Sequence, residues 1–533
     1  MAAARYFPVG FGGESSTASA PRSVPGATGG LSELIMLQYA RRTNTTDAGR
    51  FRIRFRMRYL ASFLHANPRR ETAPATGAPH VSLTSVNPFD GATLASYEPH
   101  DARAIDRRLT RSHDAQRGWR RTAPDERAQQ LRRIAASIRA HAESLAMIAT
   151  LEMGKPIRAS RAEVEKCAAC CDWYADHVTL LAPTPGPKGG DEIRLEPLGV
   201  LFAIMPWNFP YWQVVRVLAP AILLGNTVVL KHAENVSGCA LELERAVTAA
   251  GGPSGLFEVL LVTRDAAADI IADRRVAAVT ITGSERAGAA VATAAGAALK
   301  PVVLELGGSD PFLVWHDVDI PAVAKAAALA RCVNSGQSCI AAKRFLIHER
   351  IYDTFLDAFV TAMQALTVGD PREADTDVGP LVSVGARDAL HAQVQATLDG
   401  GATAALGAVN PGTATAWYPP SVVTDIPDDT PMARDELFGP VAGVWRVHHL
   451  DDAIARANST RFGLGSSVWT LDADVIARCT AEFDAGSVMI NQAVVSDPAL
   501  PFGGVKSSGH GRELGAAGLS AFANVKTVRG LQR

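Results

Sequence analysis

A carboxylate, Glu305, and a thiol, Cys339, are the residues of this sequence that most directly suggest chemistry. Glu305 ends an apolar run that begins at Lys300, and two glycines follow it. Cys339 ends a segment of small and polar residues that begins at Asn334. A carboxylate at the end of a buried strand and a thiol on a polar turn can serve as base and nucleophile. One such pair also arises by chance, so the catalytic interpretation needs support from the rest of the chain.

The bulk composition restricts the class of protein. The chain has 533 residues, 47% hydrophobic and 20% charged, which is typical of a globular protein of two or three domains. A net charge of −1 gives no reason to expect a nucleic-acid partner, and no apolar run is long enough to span a membrane. Seven cysteines, an odd and low number, suit a reducing compartment, so we predict a cytoplasmic protein.

Residues 1–80 differ from the rest of the chain. This segment has eleven arginines, no lysine and four acidic residues, and basic and apolar residues alternate from Arg50 to Arg58. One interpretation is an arm for nucleic-acid binding or organelle targeting. The other is a disordered leader, or coding sequence read from too early a start, with Met57 as an alternative start. We favour the leader, because no secretory apolar core with a cleavage site is visible.

Helical spacing dominates the next part of the chain. Helices are predicted over 101–119, 124–152 and 159–181, and Gly154 followed by Pro156 marks the end of the second. The third contains three cysteines, at 167, 170 and 171. A metal site would need a second pair of ligands at a suitable spacing, and none follows. We therefore predict buried thiols and no metal.

Short apolar runs alternate with helices from residue 199 onward, which predicts a doubly wound parallel sheet. Ligands of such sheets bind at the carboxyl ends of the strands. The predicted strands of this first series are 199–205, 226–231, 257–262, 276–282 and 300–306. A second series, at 311–315, 343–347, 441–447, 464–469 and 486–490, predicts a second α/β domain. The last piece, 525–528, is too short to be stable alone and should join another sheet, for which a neighbouring subunit is one candidate.

From about Thr84 to its end, the chain resembles the NAD(P)-dependent aldehyde dehydrogenase superfamily. The resemblance implies an α/β protein with a Rossmann-like cofactor domain, a second α/β catalytic domain and a small β oligomerisation extension. The implied domains are 81–305 for NAD (with oligomerisation strands at 179–197), 306–505 for catalysis and 506–533 for oligomerisation, in a homodimer or homotetramer. The motifs are Pro-Trp-Asn-Phe-Pro at 206–210, Lys-His-Ala-Glu at 231–234, Thr-Gly-Ser at 282–284 with Gly288, Glu-Leu-Gly-Gly at 305–308, Gly-Gln-Ser-Cys at 336–339, Glu-Leu-Phe-Gly-Pro at 436–440 and Pro-Phe-Gly-Gly at 501–504.

The resemblance implies a role for each catalytic residue. Cys339 is the nucleophile, and the oxyanion that forms is bound by the Asn208 side-chain amide and the Cys339 backbone N–H. Hydride transfer to the cofactor leaves a thioester, and Glu305 activates the water that hydrolyses it. Family members that transfer the acyl group to coenzyme A usually lack this Glu, so its presence favours release of a free acid.

The resemblance also implies the cofactor site. Lys231 and Glu234 hold the adenosine ribose, Gly283 and Ser284 open a helix that favours a diphosphate, and Glu436 with Phe438 meets the nicotinamide ribose. Because a carboxylate at Glu234 repels a 2′-phosphate, we expect NAD to be preferred, with NADP as the alternative. The full predicted set is Met205, Pro206, Trp207, Lys231, Glu234, Gly283, Ser284, Gly288, Leu306, Glu436 and Phe438.

Arg216 is the basis of the substrate prediction. Succinate-semialdehyde dehydrogenases resemble this chain in having Arg at this position, where it can bind a substrate carboxylate. The stretch 336–345 is similar to the bacterial NAD-linked branch of those enzymes. The alternative is that Arg216 pairs with a protein carboxylate. A second Arg found in some members is replaced here by Val333.

Two other functions remain open. One is oxidation of uncharged aliphatic or aromatic aldehydes, with Tyr211, Trp212 and Val333 forming an apolar tunnel. The other, from a different class, is a binding or structural protein on the same scaffold; the intact set of Asn208, Glu305 and Cys339 argues against it.

Overall fold

The computed structural model describes residues 82–412 and 414–531, so the predicted leader, 1–80, lies outside the described residues. The described residues belong to one compact unit. Its strands are β1 Leu83–Val86, β2 Thr93–Tyr97, β3 Thr184–Pro185, β4 Glu192–Pro197, β5 Val200–Met205, β6 Thr227–His232, β7 Phe257–Val259, β8 Val276–Thr282, β9 Val302–Glu305, β10 Asp310–Val314, β11 Ala342–His348, β12 Thr403–Leu406, β13 Ser421–Thr424, β14 Val441–Val447, β15 Gly465–Trp469, β16 Ser487–Ile490, β17 Gly509–His510 and β18 Ala523–Val528.

The helices alternate with the strands through most of this unit. They are α1 Ala102–Trp119, α2 Pro124–Ala140, α3 Ala142–Met153, α4 Ile157–Asp176, α5 Trp212–Leu224, α6 Ser237–Ala249, α7 Ala267–Ala272, α8 Glu285–Ala297, α9 Ile320–Cys332, α10 Tyr352–Gln364, α11 Val384–Asp399, α12 Pro431–Arg434, α13 Leu450–Asn458, α14 Ala473–Glu482 and α15 Gly515–Ala521. In the described part of the chain, no helix combines the length and apolar character needed to cross a membrane. The predicted α/β class is confirmed.

The first sheet has six strands in the order β17-β9-β8-β5-β6-β7. β5 to β9 pair in parallel, as the βα alternation predicts, and the register sets Thr282 beside Glu305 and Met205 beside His232. The carboxyl ends of β5, β6, β8 and β9 therefore lie side by side. The short β17, which the sequence did not predict, pairs antiparallel with β9 through Gly509 opposite Glu305.

The second sheet has seven strands in the order β12-β13-β14-β11-β10-β15-β16. All five predicted strands of the second series are present and pair in parallel. β12, β13 and α11 were not predicted. β12 is mostly exposed and carries no apolar–polar alternation, so its sequence offers little strand signal.

The helix predicted over 124–152 is wrong as a single element. It is divided at His141, whose backbone (φ −103°, ψ 14°) leaves the helical region between α2 and α3. The imidazole Nδ1 of His141 lies 2.8 Å from the Ser137 carbonyl oxygen, a side-chain contact that competes with the helical hydrogen bond. Gly154 ends α3 in the left-handed conformation (φ 77°), as predicted. The helix predicted over 159–181 corresponds to α4, whose three cysteines are fully buried.

A third, small sheet has the order β18-β4-β3. β18 pairs antiparallel with β4 from Ala523 opposite Pro197 to Val528 opposite Glu192. The terminal strand thus joins another sheet as predicted, and its partner strand β4 belongs to the same chain. The predicted segment 506–533 contributes to two sheets, because it contains both β17 and β18.

Candidate active site

The turn that carries Cys339 is held in an uncommon backbone conformation. Asn334 (φ 54°) and Ser335 (φ 55°) both adopt the left-handed region, which costs each non-glycine residue about 1–2 kcal/mol. Their side chains compensate. Asn334 Nδ2 donates to the carbonyl oxygens of Asn208 (2.7 Å) and Gln337 (3.1 Å), and Ser335 Oγ accepts from Gly379 N (3.0 Å). The turn is therefore locked to the segment that contains Asn208.

Lys343 holds the same turn from the other side. Its Nζ donates to the carbonyl oxygens of Ser338 (2.9 Å), Cys339 (2.9 Å) and Ala341 (3.1 Å). The same ammonium lies 3.5 Å from Glu436 Oε1. Sequence reasoning missed Lys343; the signal was a lysine near the start of a predicted strand, and the structure buries this strand, β11, along its whole length.

Cys339 is the one partly exposed cysteine in the described part of the chain; the other six are buried. Burial raises the pKa of its thiol to about 12, and the nearby Glu436 carboxylate acts in the same direction. Arg216 and Lys343 oppose this rise. The thiol is thus protonated at neutral pH and must lose its proton before it can attack a carbonyl. Cys332, as predicted, packs in the core, with its Sγ 3.8 Å from Met363 Sδ.

Asn208 lies between β5 and α5, and its side-chain orientation is fixed. Its Oδ1 accepts from Gln213 Nε2 at 3.1 Å, and its Nδ2 donates to the Gln337 carbonyl oxygen at 3.0 Å. Among the described residues, no acceptor takes up the backbone N–H of Cys339. This N–H and the Asn208 amide are the donors predicted for an oxyanion.

One of two cavities that meet at Cys339 is formed where the strands of the first sheet end, and we name it the strand-end cavity. It has a volume of about 210 Å³. Trp207 and Phe438 pack edge to face on its wall, with ring centroids 5.7 Å apart. It brings together Asn208, Cys339 and seven of the predicted cofactor residues, namely Pro206, Trp207, Gly283, Ser284, Leu306, Glu436 and Phe438.

Two glycines shape this cavity. A Cβ on Gly288 would lie 2.6 Å from Leu306 Cδ2, so Gly288 acts by allowing α8 to approach Leu306. A Cβ on Gly307 would lie 2.6 Å from Glu436 Oε2. Glu436 is further held by the backbone N–H of Gly308, which donates to its Oε1 at 3.1 Å. Burial raises the pKa of Glu436, and Lys343 opposes the rise.

The remaining predicted cofactor residues lie outside the lining of this cavity. Met205 is buried in β5. Lys231 is buried at the end of β6 and donates to the His232 carbonyl oxygen (3.3 Å), while Glu234 is exposed beyond it. The N-terminus of α8, capped by Ser284 Oγ, follows β8, and Gly283 and Ser284 line the cavity. The strand ends thus combine an aromatic wall, a helix N-terminus and an acidic residue, and these features fit a dinucleotide.

Glu305 lies in a buried carboxylate cluster rather than on a cavity wall. Neither of its carboxyl oxygens has a hydrogen-bond partner among the described residues, and Oε1 faces Gly503. Burial raises its pKa well above the usual range, and the neighbouring Glu513 adds to the rise. Arg216 and Arg512 oppose it. Glu513, which sequence reasoning missed, comes directly after the glycine-rich loop that ends at Arg512.

Arg216 is committed to this cluster. It forms an ion pair with Glu513, its Nη2 donates to Thr282 Oγ1 (2.9 Å), and its guanidinium lies 4.9 Å from the Phe502 ring centroid. The pairing of Arg216 with a protein carboxylate, which the sequence left open as an alternative, is therefore present. Binding of a substrate carboxylate by Arg216 stays a prediction.

The second cavity also meets Cys339; it is lined by α4 and α5, by the turn that carries Cys339 and by residues 494–496 and 502, and we name it the helix cavity. Its volume is about 250 Å³. Trp212 and Val333 line it, as the tunnel hypothesis expects. Tyr211 does not, and this part of the hypothesis is wrong: Tyr211 is buried in the core, where its hydroxyl donates to the Leu145 carbonyl oxygen (2.7 Å). The polar lining includes Lys166, Gln213, Arg216 and Ser496.

Comparison with known proteins adds to this geometry. The sequence pattern of the aldehyde dehydrogenase family matches residues 76–528. The succinate-semialdehyde dehydrogenase (NADP(+)) of Mycobacterium avium strain 104 is 46% identical over 456 residues, which cover 84% of this chain and 96% of that protein. The corresponding enzyme 1 of Mycobacterium tuberculosis H37Rv is 45% identical over 454 residues, 84% of this chain and 99% of the relative.

Solved structures agree with these relatives. Succinic semialdehyde dehydrogenase from Streptococcus pyogenes, in complex with NADP+, superposes with a TM-score of 0.82 at 33% identity, over 84% of this chain and 100% of that one. The NAD-dependent aldehyde dehydrogenase of Sinorhizobium meliloti gives a TM-score of 0.82 at 33% identity, over 84% and 91% of the two chains. The family predicted from the motifs is confirmed.

Proposed function

The chain belongs to the aldehyde dehydrogenase family and is an NAD(P)-dependent oxidoreductase, and from this premise we propose that its substrate is succinic semialdehyde, which it oxidises to succinate. The observation that carries the substrate proposal is the charge of the helix cavity. Two cations, Lys166 and Arg216, and one acidic residue, Glu163, which is paired with Lys155, stand on a lining that is otherwise mostly apolar. A short aldehyde with a carboxylate at its far end matches such a cavity. The relatives named as succinate-semialdehyde dehydrogenases support the same substrate.

We propose that Cys339 is the nucleophile. Its thiol gives up a proton to solvent water, and the sulfur attacks the aldehyde carbon from the junction of the two cavities. The Asn208 amide and the Cys339 N–H donate hydrogen bonds to the oxygen that becomes negative. Bound NAD(P) supplies the hydride acceptor. The strand-end cavity would hold its nicotinamide end, with Glu436 as the ribose ligand and Lys231 and Glu234 further along at the end of β6.

Glu305 is the proposed base for hydrolysis of the thioester. Its raised pKa makes its carboxylate a stronger base once ionised, which suits removal of a proton from water. The water oxygen adds to the thioester carbon as Glu305 takes a proton from the water. The C–S bond then breaks, the acid leaves, and Glu305 returns its proton to the sulfur, which restores the Cys339 thiol. Glu513 and Arg216 set the charge around Glu305 and act by positioning it.

We propose NAD as the preferred cofactor. Glu234 is an exposed carboxylate at the end of β6, near Lys231, where a 2′-phosphate would meet its negative charge. The named relatives use NADP(+), which favours the opposite preference. The measured ratio of kcat/KM for the two cofactors decides between them.

We also propose a homodimer or homotetramer in the cytoplasm. The small sheet of β3, β4 and β18 supports an oligomer, because apolar side chains such as Val525 (58% exposed) and Ile193 (38%) lie on its surface. Light scattering on the purified protein tests the number of chains.

The substrate proposal is tested with two aldehydes of equal chain length. NAD(P)H formation is measured with succinic semialdehyde and with butanal, which lacks the carboxylate. We expect kcat/KM to be at least about 10-fold higher for succinic semialdehyde, because one charge-assisted hydrogen bond to the carboxylate contributes a difference of this size. A preference for butanal would rule out succinic semialdehyde as the preferred substrate and favour oxidation of uncharged aldehydes. The assignment as an aldehyde dehydrogenase would not change.

A further inference from the structure

The two cations of the helix cavity differ in what already holds them. Arg216 is engaged by Glu513, by Thr282 and by the Phe502 ring. Lys166, on α4, donates from Nζ to Ser496 Oγ at 2.9 Å. Within the described ranges 82–412 and 414–531, no carboxylate oxygen lies within ion-pair distance of its ammonium. A half-buried ammonium without a counter-ion is favoured when a ligand supplies the negative charge.

The acidic residue of α4 that lines the helix cavity, Glu163, is already paired. Glu163 lies one turn before Lys166, and its Oε1 accepts from the backbone N–H groups of Tyr211 (2.8 Å) and Trp212 (2.9 Å). Its other oxygen forms an ion pair with the fully buried Lys155. Glu163 therefore stabilises the start of α5. Burial lowers the pKa of Lys166, and Glu163 opposes this fall without forming an ion pair with the ammonium.

The neighbours of Lys166 leave donors free for a ligand. Ser496 Oγ accepts two hydrogen bonds, from Lys166 Nζ and from Trp212 Nε1 (3.0 Å). A hydroxyl has two lone pairs and one proton, so the Ser496 proton has to point to another acceptor. A lysine ammonium has three protons, and one of those on Lys166 is used by Ser496. The Lys166 Nζ also lies 4.3 Å from the Trp212 ring centroid, which fixes its position on the wall.

From this geometry we propose that Lys166 binds the carboxylate of the aldehyde substrate, and that Lys166 rather than Arg216 determines the preference for ω-carboxylated aldehydes. The inference rests on the proposed function, because it assumes that the aldehyde enters the helix cavity with its carbonyl at Cys339. Lys166 and Cys339 belong to the same lining. The volume of about 250 Å³ suits an aldehyde of a few carbons that spans the cavity.

The substitution Lys166→Met tests this assignment, because methionine keeps most of the aliphatic stem and removes the charge. We expect kcat/KM for succinic semialdehyde to fall about 10- to 100-fold, mainly through KM, and kcat/KM for butanal to stay within about 3-fold. Lys166→Arg keeps the cation and should retain the preference. Arg161→Met, which removes an exposed cation from the same helix, is the matched control and should resemble the wild type. Thermal unfolding of each variant reports whether it is folded.

Inhibition by succinate gives a second readout that does not depend on turnover of the acid substrate. With butanal as substrate, Lys166→Met should raise the inhibition constant of succinate by about 10-fold or more relative to wild type. An unchanged inhibition constant, together with an unchanged ratio of the two aldehydes, would overturn the role of Lys166.

The two proposals fail in different ways. If wild type prefers succinic semialdehyde and Lys166→Met keeps the full preference, the role of Lys166 is wrong while the proposed function stands. If wild type prefers butanal, but Lys166→Met still weakens succinate inhibition and lowers only the rate with the acid aldehyde, the proposed function is wrong while the carboxylate site stands. If wild type prefers butanal and Lys166→Met changes neither readout, both are wrong.

Discussion

The strand-end cavity and the helix cavity share Cys339 and Gln213 but are built differently. The first is made by residues that directly follow β5, β8 and β9, and its acidic residue, Glu436, is held by Lys343 and a backbone N–H. The second is made by α4, α5 and a distant segment near the C-terminus, and it contains an ammonium with no carboxylate partner among the described residues. A fixed, charge-compensated surface suits a cofactor common to many reactions. An uncompensated charge suits discrimination between substrates.

This difference also decides what the sequence could predict. Parallel strands bring their carboxyl ends to one edge, so short motifs such as 206–210 and 282–284 lead directly to the strand-end cavity. The helix cavity depends on contacts between residues far apart in the chain, as between Lys166 and Ser496, and no local pattern predicts them. Glu513 was missed for the same reason. Its contact with Arg216 joins α5 to the end of the chain.

Some errors have local physical causes. The break at His141 depends on a side-chain contact with the Ser137 carbonyl, and apolar periodicity alone continues through it. β17 is a two-residue strand in a glycine-rich loop, too short for any periodicity to indicate. The position of Glu305 behind the cavity walls depends on packing against Gly503, which the motif at 305–308 does not contain.

The largest effect is expected from Glu305→Gln, which separates formation of the thioester from its hydrolysis. The first turnover should produce about one NAD(P)H per active site, and the steady-state rate should then fall by about 10²–10⁴-fold, the usual contribution of a general base. Rapid-mixing measurements of the burst check this. A normal steady-state rate would show that another group activates the water.

The second largest effect distinguishes Arg216 from Lys166, the two cations of the helix cavity. Arg216→Met leaves Glu305 and Glu513 buried without their shared cation, and we expect destabilisation by about 3 kcal/mol or more, seen as a lower melting temperature. Unlike Lys166→Met, it should lower the rates with both aldehydes alike.

Because Arg216 lowers the pKa of Glu305 and of Glu513, its loss raises both values. A base must be ionised to act, so the acidic limb of the pH–rate profile should move to higher pH. A selective loss of the acid aldehyde would instead make Arg216 the carboxylate ligand.

A smaller change is expected at the adenosine end. Glu234→Ser removes the carboxylate that repels a 2′-phosphate, and the ratio of kcat/KM for NADP to that for NAD should rise by about 10-fold. Glu373→Ser, at an exposed carboxylate of the second α/β series, serves as the control. An unaltered ratio would show that Glu234 does not contact the ribose.

The smallest change concerns packing behind the strand-end cavity. Gly288→Ala should displace Leu306, because the new Cβ would lie 2.6 Å from its Cδ2, and raise KM for the cofactor a few-fold with kcat little changed. Gly296→Ala, on the same helix α8, meets nothing within 4 Å and should leave KM unchanged. Equal behaviour of the two variants would mean that Leu306 does not shape the site.

The central claim, that succinic semialdehyde is oxidised through a thioester on Cys339, is tested most directly by trapping that thioester. Glu305→Gln protein is mixed with succinic semialdehyde and NAD(P), quenched in acid and digested, and its peptides are measured by mass spectrometry. We predict one succinyl adduct, on the peptide that contains Cys339. In a control reaction without NAD(P), this peptide should carry no adduct. An adduct on another cysteine, or NAD(P)H formation with no adduct at all, would contradict the account.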